Sequence, residues 1–538
     1  MKTNLLRNLL LRISAICCLA LTMITCAKQG RISGGPMDSI PPVFVKAVPP
    51  NYTTNFDGEE IRIYFDEYIK LKDYQRQLIV SPPLENTLIS PQGSASKYIS
   101  IEIKDTLQPN TTYVFNFGQS VVDNNEENPY SYFKYIMSTG DYIDSLTVRG
   151  EIKDALLRAP DNFVTVMLYE ADSTYNDSIV YKDRPRYVTN TLDSLTTFEI
   201  SNLKEGSYKL VAMKDEDANF TYQSKKDKIG FLEGFIDVPK DTSYVLTLFK
   251  EEATLKTSRP RHAAKQRLSF GFQGNADSLR VNVLSSVPAD FESLITERKN
   301  DTLNYWYKPN VETDSLWLEI RGENYVDTTI AKLRDLKPDS LFFTPESRGT
   351  LTLKNPFKVT SSVPVTSIND SLISVTGDSI PVPFTTDINL RKSSFDIRFD
   401  TKEVTTYEIT VLPDAITPYL GARNDTLRYK VRTKEFSDYG DIELTLVNAK
   451  RYPYIIQLID GKGEVSKQVI ANEGNVFKFE TLSPGNYFIR LIEDANKNGI
   501  YDPGSYLEQR QAERVIYYPK EIEVNAGWLP RETFQLKD

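Results

Sequence analysis

Apolar residues fall on every second position again and again along this chain. Ile61, Ile63 and Phe65 do so, as do Tyr113, Phe115 and Phe117, and Tyr208, Leu210 and Ala212. The pattern returns at Leu268, Phe270 and Phe272, at Leu279, Val281 and Val283, and at Leu316, Leu318 and Ile320. It closes with Phe395, Ile397 and Phe399, then Tyr487, Ile489 and Leu491. A period of two sends one strand face into a core and the other into water, the pattern of antiparallel sandwiches. Gly, Pro, Asn and Asp recur between these segments and supply the turns. The chain has 538 residues, and at roughly 100–150 residues per domain that suggests four or five domains. The expected fold is all-β: a tandem array of about five antiparallel β-sandwiches.

Cysteine usage sets the compartment. Lys2, Arg7 and Arg12 precede an uncharged, mostly apolar run, Ile13 to Ile24. That run is too short to span a bilayer as a helix and fits a secretory signal over 1–25. Met23-Ile24-Thr25-Cys26 resembles a bacterial lipobox, which implies cleavage before Cys26 and a lipid on its sulfur. Cys17 and Cys18 lie inside the apolar run and would leave with it. No disulfide, Cys-based zinc set or thiol nucleophile is then available. The net charge of −9, without a long basic block, argues against nucleic-acid binding.

A short motif, Asp then Ser or Thr then Leu, recurs at 105–107, 144–146, 277–279, 314–316, 339–341, 370–372 and 425–427. An Asp side chain closes a turn there and the apolar residue starts a strand. Two longer repeats divide the chain. Phe198, Leu203, Gly206 and Tyr208 recur as Phe477, Leu482, Gly485 and Tyr487. Thr111-Thr112-Tyr113, Tyr135 and Thr139 recur as Thr405-Thr406-Tyr407, Tyr429 and Thr433. The simplest account is a two-domain cassette present twice, with an extra domain between the copies. The basic stretch around Lys256, Arg259, Arg261, His262, Lys265 and Arg267 reads as a solvated linker.

Residues 41–141 resemble the SbsA-type bacterial Ig-like domain. Pro41-Pro42, Pro49-Pro50, the strand to Phe65 with Asp66-Glu67, Leu107-x-Pro109-x-Thr111-Thr112-Tyr113 and Ser138-Thr139-Gly140 carry the likeness. Together with Cys26, Asp38-Ser39-Ile40-Pro41-Pro42 resembles the start of Bacteroidetes-type Ig-like lipoproteins. Residues 346–436 read as a degenerate copy. Residues 142–252 and 437–538 resemble the prealbumin-like or carboxypeptidase-regulatory-like sandwich, through Val148-x-Gly150 and the Leu-x-x-Gly-x-Tyr repeat. The remaining segments are a tether at 26–40, a linker at 253–266 and a β-sandwich of unknown type at 267–345. The resemblance implies non-catalytic stalks, spacers or binding modules.

Asp494, Asn496, Asn498, Ile500 and Asp502, with Gly499, match the front of a calcium loop. Ser505 stands where a bidentate Glu is expected, and Glu508 lies just beyond. The alternative is an Asx-rich turn that needs no ion. Asp215, Asp217 and Asn219 form the equivalent loop without the glycine. Calcium there would be structural. Tyr305-Trp306-Tyr307 is a dense aromatic cluster, either a ligand-binding face for a glycan or partner, or core. His262 is the single histidine, and no Gly-x-Ser-x-Gly elbow, His-Glu-x-x-His helix or phosphate-cradling loop is present.

The expected function is a non-catalytic cell-envelope lipoprotein presenting sandwiches from the outer membrane through its N-terminal lipid, with an envelope protein or glycan as partner. A glycan- or polymer-binding accessory lipoprotein is the alternative, and a glycan-acting hydrolase a third. An exposed Tyr305 or Trp306 in a concave surface favours the second, and a close buried carboxylate pair favours the third.

Overall fold

The computed structural model describes residues 38–192, 196–298 and 301–537. The expected signal segment and Cys26 lie outside them. The regular secondary structure of the described residues is almost wholly β-strand, as the alternation requires. It divides into two compact units, one reaching Ile143 and the other starting at Asp144, apart from residues 80–83, which group with the second.

In the first unit, strand Glu60–Leu71 pairs antiparallel with Phe44–Val48 on one side and Ser96–Ile103 on the other. Thr112–Asn116 pairs with Lys134–Ser138 in a second sheet. Ile61, Ile63, Phe65, Ile99, Ile101, Phe115 and Phe117 are buried between them, so the inward set is the alternating one.

The second unit holds four sandwiches. Residues 144–250 place Thr197–Leu203, Leu146–Asp154 and Ser243–Leu248 in one sheet. Tyr187–Asn190, Thr165–Glu170, Gly206–Lys214 and Lys228–Phe231 form the other. The last sandwich repeats this order with Val476–Leu482, Gly440–Val447 and Arg531–Gln535 against Val465–Ala471, Tyr454–Asp460, Gly485–Glu493 and Val515–Tyr517. In both, the final strand runs parallel to the first. The two repeat tyrosines do the same job: Tyr208 Oη donates to the Lys204 carbonyl and Tyr487 Oη to the Ser483 carbonyl.

The Thr-Thr-Tyr repeat is also one device used twice. The Thr111 amide donates to Thr139 Oγ1 and the Gln108 amide to Tyr113 Oη. At the same spacing, the Thr405 amide donates to Thr433 Oγ1 and the Lys402 amide to Tyr407 Oη. Each set closes a strand-entry loop whose backbone donors would otherwise be buried without partners.

Residues 253–266 are not a free linker. Lys256–Thr257 and Arg261–Ala264 are edge strands paired with Arg267–Gln273, while Leu255 and Ala264 are drawn toward the middle sandwich. His262 is part of that sandwich, with Nδ1 accepting from the Arg334 amide. Short, charged edge strands have the composition of a linker, which is why sequence alone reads them as one.

The first and last sandwiches of the second unit touch. The long connection from Glu493 to Val515 reaches across and buries Tyr506 completely. The Tyr506 ring lies 5.2 Å from that of Phe231, edge-on, and near Tyr181. Its amide donates to Glu251 Oε1, whose other oxygen accepts from Tyr222 Oη. Buried Lys209 donates to Gln509 Oε1 and to the Leu232 carbonyl. A second contact joins Tyr517 Oη and Arg490 to the Leu156 carbonyl. The four sandwiches of the second unit are therefore sequential in the chain, with the first and last of them in contact.

Candidate functional site

The loop at 494–502 is built around buried Asp494. Its two oxygens accept the Asn498 and Gly499 amides at 3.1 and 2.9 Å. Gly499 has φ 78°, a left-handed value that favours glycine at this turn. The side-chain nitrogens of Asn496 and Asn498 both donate to Asp502 Oδ2, at 2.6 and 2.8 Å. Their side-chain oxygens accept the Asn498 and Ile500 amides at 3.1 and 2.9 Å, so both side-chain amides are satisfied on both sides. Ile500 is exposed, so its carbonyl remains at the loop surface.

Glu513, not Glu508, completes this loop. Its carboxylate accepts the Ala495 amide at 2.8 Å and the Asp502 amide at 3.0 Å. Burial, with the nearby Asp502 and Asp494 charges, raises its pKa. Glu508 points away and pairs with Arg510. Sequence spacing could not find Glu513, because the chain leaves the loop and returns before it arrives.

In the earlier loop a lysine pairs with one carboxylate, while Asp215 Oδ1 is buried without a hydrogen-bond partner. Asp217 is held by Lys226 Nζ at 2.7 Å, and Asn219 Oδ1 accepts the Thr221 amide. Asp215 Oδ2 accepts the Phe220 amide. Buried Asp227 accepts the Glu216 and Gln223 amides, and its pKa is raised by burial and by the Asp215 and Asp217 charges. Among the described residues no three His, Cys, Asp or Glu side chains gather into a ready metal centre. An ion at 494–502 would therefore draw on amide and backbone oxygens as well as carboxylates.

The aromatic cluster is buried. Tyr305 and Tyr307 point into the middle core, and Trp306, 2% exposed, points the opposite way, as alternation along Thr302–Lys308 dictates. None offers the open flat face that the ligand-binding reading of Tyr305, Trp306 and Tyr307 requires. Trp306 instead meets Val363 and Tyr419 of the following sandwich. Its indole nitrogen donates to Thr296 Oγ1 at 2.9 Å, and the Arg267 guanidinium lies 5.2 Å from its ring.

Residues 38–137 match the family described as a bacterial Ig-like domain. None of the curated proteins compared matches this chain. Among solved structures, the surface layer protein SbsC, domains 1–6, is similar at 10% identity, over 90% of this chain and 67% of that one, with a TM-score of 0.16. Titin domains A168–A170 are similar at 11% identity, over 52% of this chain and 98% of that one, with a TM-score of 0.14. Drosophila OTK, extracellular domains 3–5, is similar at 11% identity, over 54% and 96%, with a TM-score of 0.12. Scores this low carry no argument about function. What the findings establish is an all-β chain of tandem sandwiches whose N-terminal segment, 38–137, matches the bacterial Ig-like domain.

Proposed function

We propose that this chain is a non-catalytic lipoprotein of the cell envelope, tethered through Cys26, whose sandwiches form a structural or interaction module. The observation that supports the non-catalytic part is how the buried carboxylates are used. Asp123 accepts the amides of Asn125, Glu126, Glu127 and Asn128. Buried Asp227 and Asp494, and half-buried Glu513, likewise accept backbone amides. Carboxylates committed to holding loops in this way are not poised to exchange protons with a substrate. Among the described residues no helix is long and apolar enough to cross a membrane, and the lipid supplies the membrane contact in this reading.

The test is labelling with a palmitate analogue in the native host, followed by fractionation. The wild-type chain takes up label and sediments with membranes, while Cys26→Ala does neither. Label persisting in the variant would end the anchor proposal.

A structural calcium ion at Asp494, Asn496, Asn498, Ile500 and Asp502, with Glu513 closing the loop, is part of the same proposal. At the weaker loop, Asp215, Asp217 and Asn219, calcium would have to displace Lys226 from Asp217. A carboxyl whose pKa rises on folding contributes stability below its unfolded pKa and loses it as pH rises through the raised value. Ion-free Glu513 is thus a liability at neutral pH, which a cation relieves. At about a hundredfold excess over Kd, calcium should stabilise the last sandwich by about 2.7 kcal/mol. The shift should shrink as pH falls through the raised Glu513 pKa, where protons compete with the ion. Calorimetry of the full chain with and without calcium, for wild type and Asp494→Ala, checks this. A wild-type melting profile indifferent to calcium would reduce the loop to a turn.

A further inference from the structure

The middle sandwich and the one after it enclose a cavity of about 490 Å³, within the size range of small-molecule sites. Trp306 contributes to its floor and Phe342, 61% exposed, stands at its wall. Arg267 spans one side. Its Nε and Nη2 donate to the two oxygens of Asp339, each at 2.8 Å, and its Nη1 donates to Asn304 Oδ1 at 3.1 Å. Across the cavity, Glu297 pairs with Lys392 Nζ at 2.9 Å. The hydroxyls of Thr344 and Thr360 complete the walls.

We propose that this cavity is a saccharide site that takes a short, uncharged oligosaccharide. Three properties point there. The charges of Arg267, Asp339, Glu297 and Lys392 are matched across short ion pairs, and the remaining charged lining residue, Arg298, is exposed and screened by solvent, so an ionic ligand would be desolvated against mostly compensated walls. The same pairs fix a guanidinium edge, carboxylate oxygens and an amide in rigid positions, ready to exchange hydrogen bonds with hydroxyls at little entropic cost. Phe342 offers the one large exposed apolar ring of the wall, a surface for the C–H face of a sugar. The Tyr305-Trp306-Tyr307 cluster therefore contributes one residue, while the recognition falls to Arg267, Asp339, Asn304 and Phe342. The site does not depend on the lipid anchor or on calcium.

The test titrates the full chain with maltotetraose, cellotetraose and chitotetraose, followed by calorimetry and by tryptophan emission. At least one should bind and shift the emission. Phe342→Ala should weaken that binding about tenfold. Ser340→Trp, at an exposed wall position, should fill the cavity and abolish binding. Trp528→Ala, exposed and outside the cavity, should leave it unchanged. Silence of all three probes, or binding that survives Ser340→Trp, overturns the assignment. Preference for a heparin-derived tetrasaccharide over all three overturns its uncharged character.

Discussion

Tyr506→Ala should open the second unit. The ring is wholly buried against Phe231 and Tyr181, and its neighbour Gln509 satisfies a buried lysine. Truncating a buried aromatic costs about 3–5 kcal/mol. Here the loss falls on a contact between sandwiches rather than on the core of either. Each sandwich keeps its own apolar cluster, so the variant should stay folded while its ends separate. Small-angle scattering should report a larger radius of gyration, and calorimetry should resolve transitions that overlap in the wild type. Lys209 makes a more specific reporter. Burial lowers its pKa, and it should become reactive toward amine-modifying reagents once Gln509 withdraws. Tyr506→Phe keeps the ring and should stay closed. A Tyr506→Ala profile indistinguishable from wild type would show that the second contact, Tyr517 and Arg490 on Leu156, holds the circuit alone.

Gly150→Ala should be more damaging than any exposed substitution in the same domain. A Cβ on Gly150 would sit 2.2 Å from the Tyr244 carbonyl oxygen and 2.6 Å from the Phe198 ring. The carbonyl belongs to Ser243–Leu248, the strand that pairs in parallel with Leu146–Asp154, so relief requires moving backbone within a sheet. Overpacking of this kind costs about 1–3 kcal/mol when side chains can yield, and a fixed carbonyl puts this site at or beyond the upper end. The expected result is that the sandwich at 144–250 melts several degrees early, or that soluble yield collapses. A melting profile within a degree or so of wild type, where 1 kcal/mol is worth about 4–8 °C in a domain of this size, would refute the steric account.

The sequence carried the alternating strands most plainly where one face is wet, although Tyr113–Phe115 and Tyr208–Met213 are buried on both faces. Ile61, Ile63 and Phe65 alternate in burial with their neighbours, as do Leu316, Leu318 and Ile320. The pattern fades where both faces are covered. Val166, Met167, Leu168 and Tyr169 are all buried. So are Ile455, Ile456, Leu458 and Ile459, and neither run alternates. The Thr-Thr-Tyr and Leu-x-x-Gly-x-Tyr repeats were readable because each is a local device, closed within about thirty residues. The Asp-Ser/Thr-Leu motif is not a local turn at Asp105 or Asp339: Asp105 accepts the amides of Glu85 and Asn86, 20 and 19 residues earlier, and Asp339 is a partner for Arg267. What stayed hidden depends on long sequence separations. Nothing near Tyr506 announces Phe231, nothing near Trp306 announces Val363, and Glu513 stands one loop away from the acids it joins. The glycine of Val148-x-Gly150 was visible as a motif, but its reason appears only with the Tyr244 carbonyl in place.

The parallel pairing of first and last strands has a mechanical consequence. Leu146–Asp154 and Ser243–Leu248 run side by side in the same direction, as do Gly440–Val447 and Arg531–Gln535. The polypeptide thus enters each of these sandwiches at one pole and leaves at the other. Tension along the chain then pulls the two strands past each other and loads their interstrand hydrogen bonds in shear, together, rather than peeling them apart in turn. These two sandwiches are shaped to resist tension applied between their own chain ends.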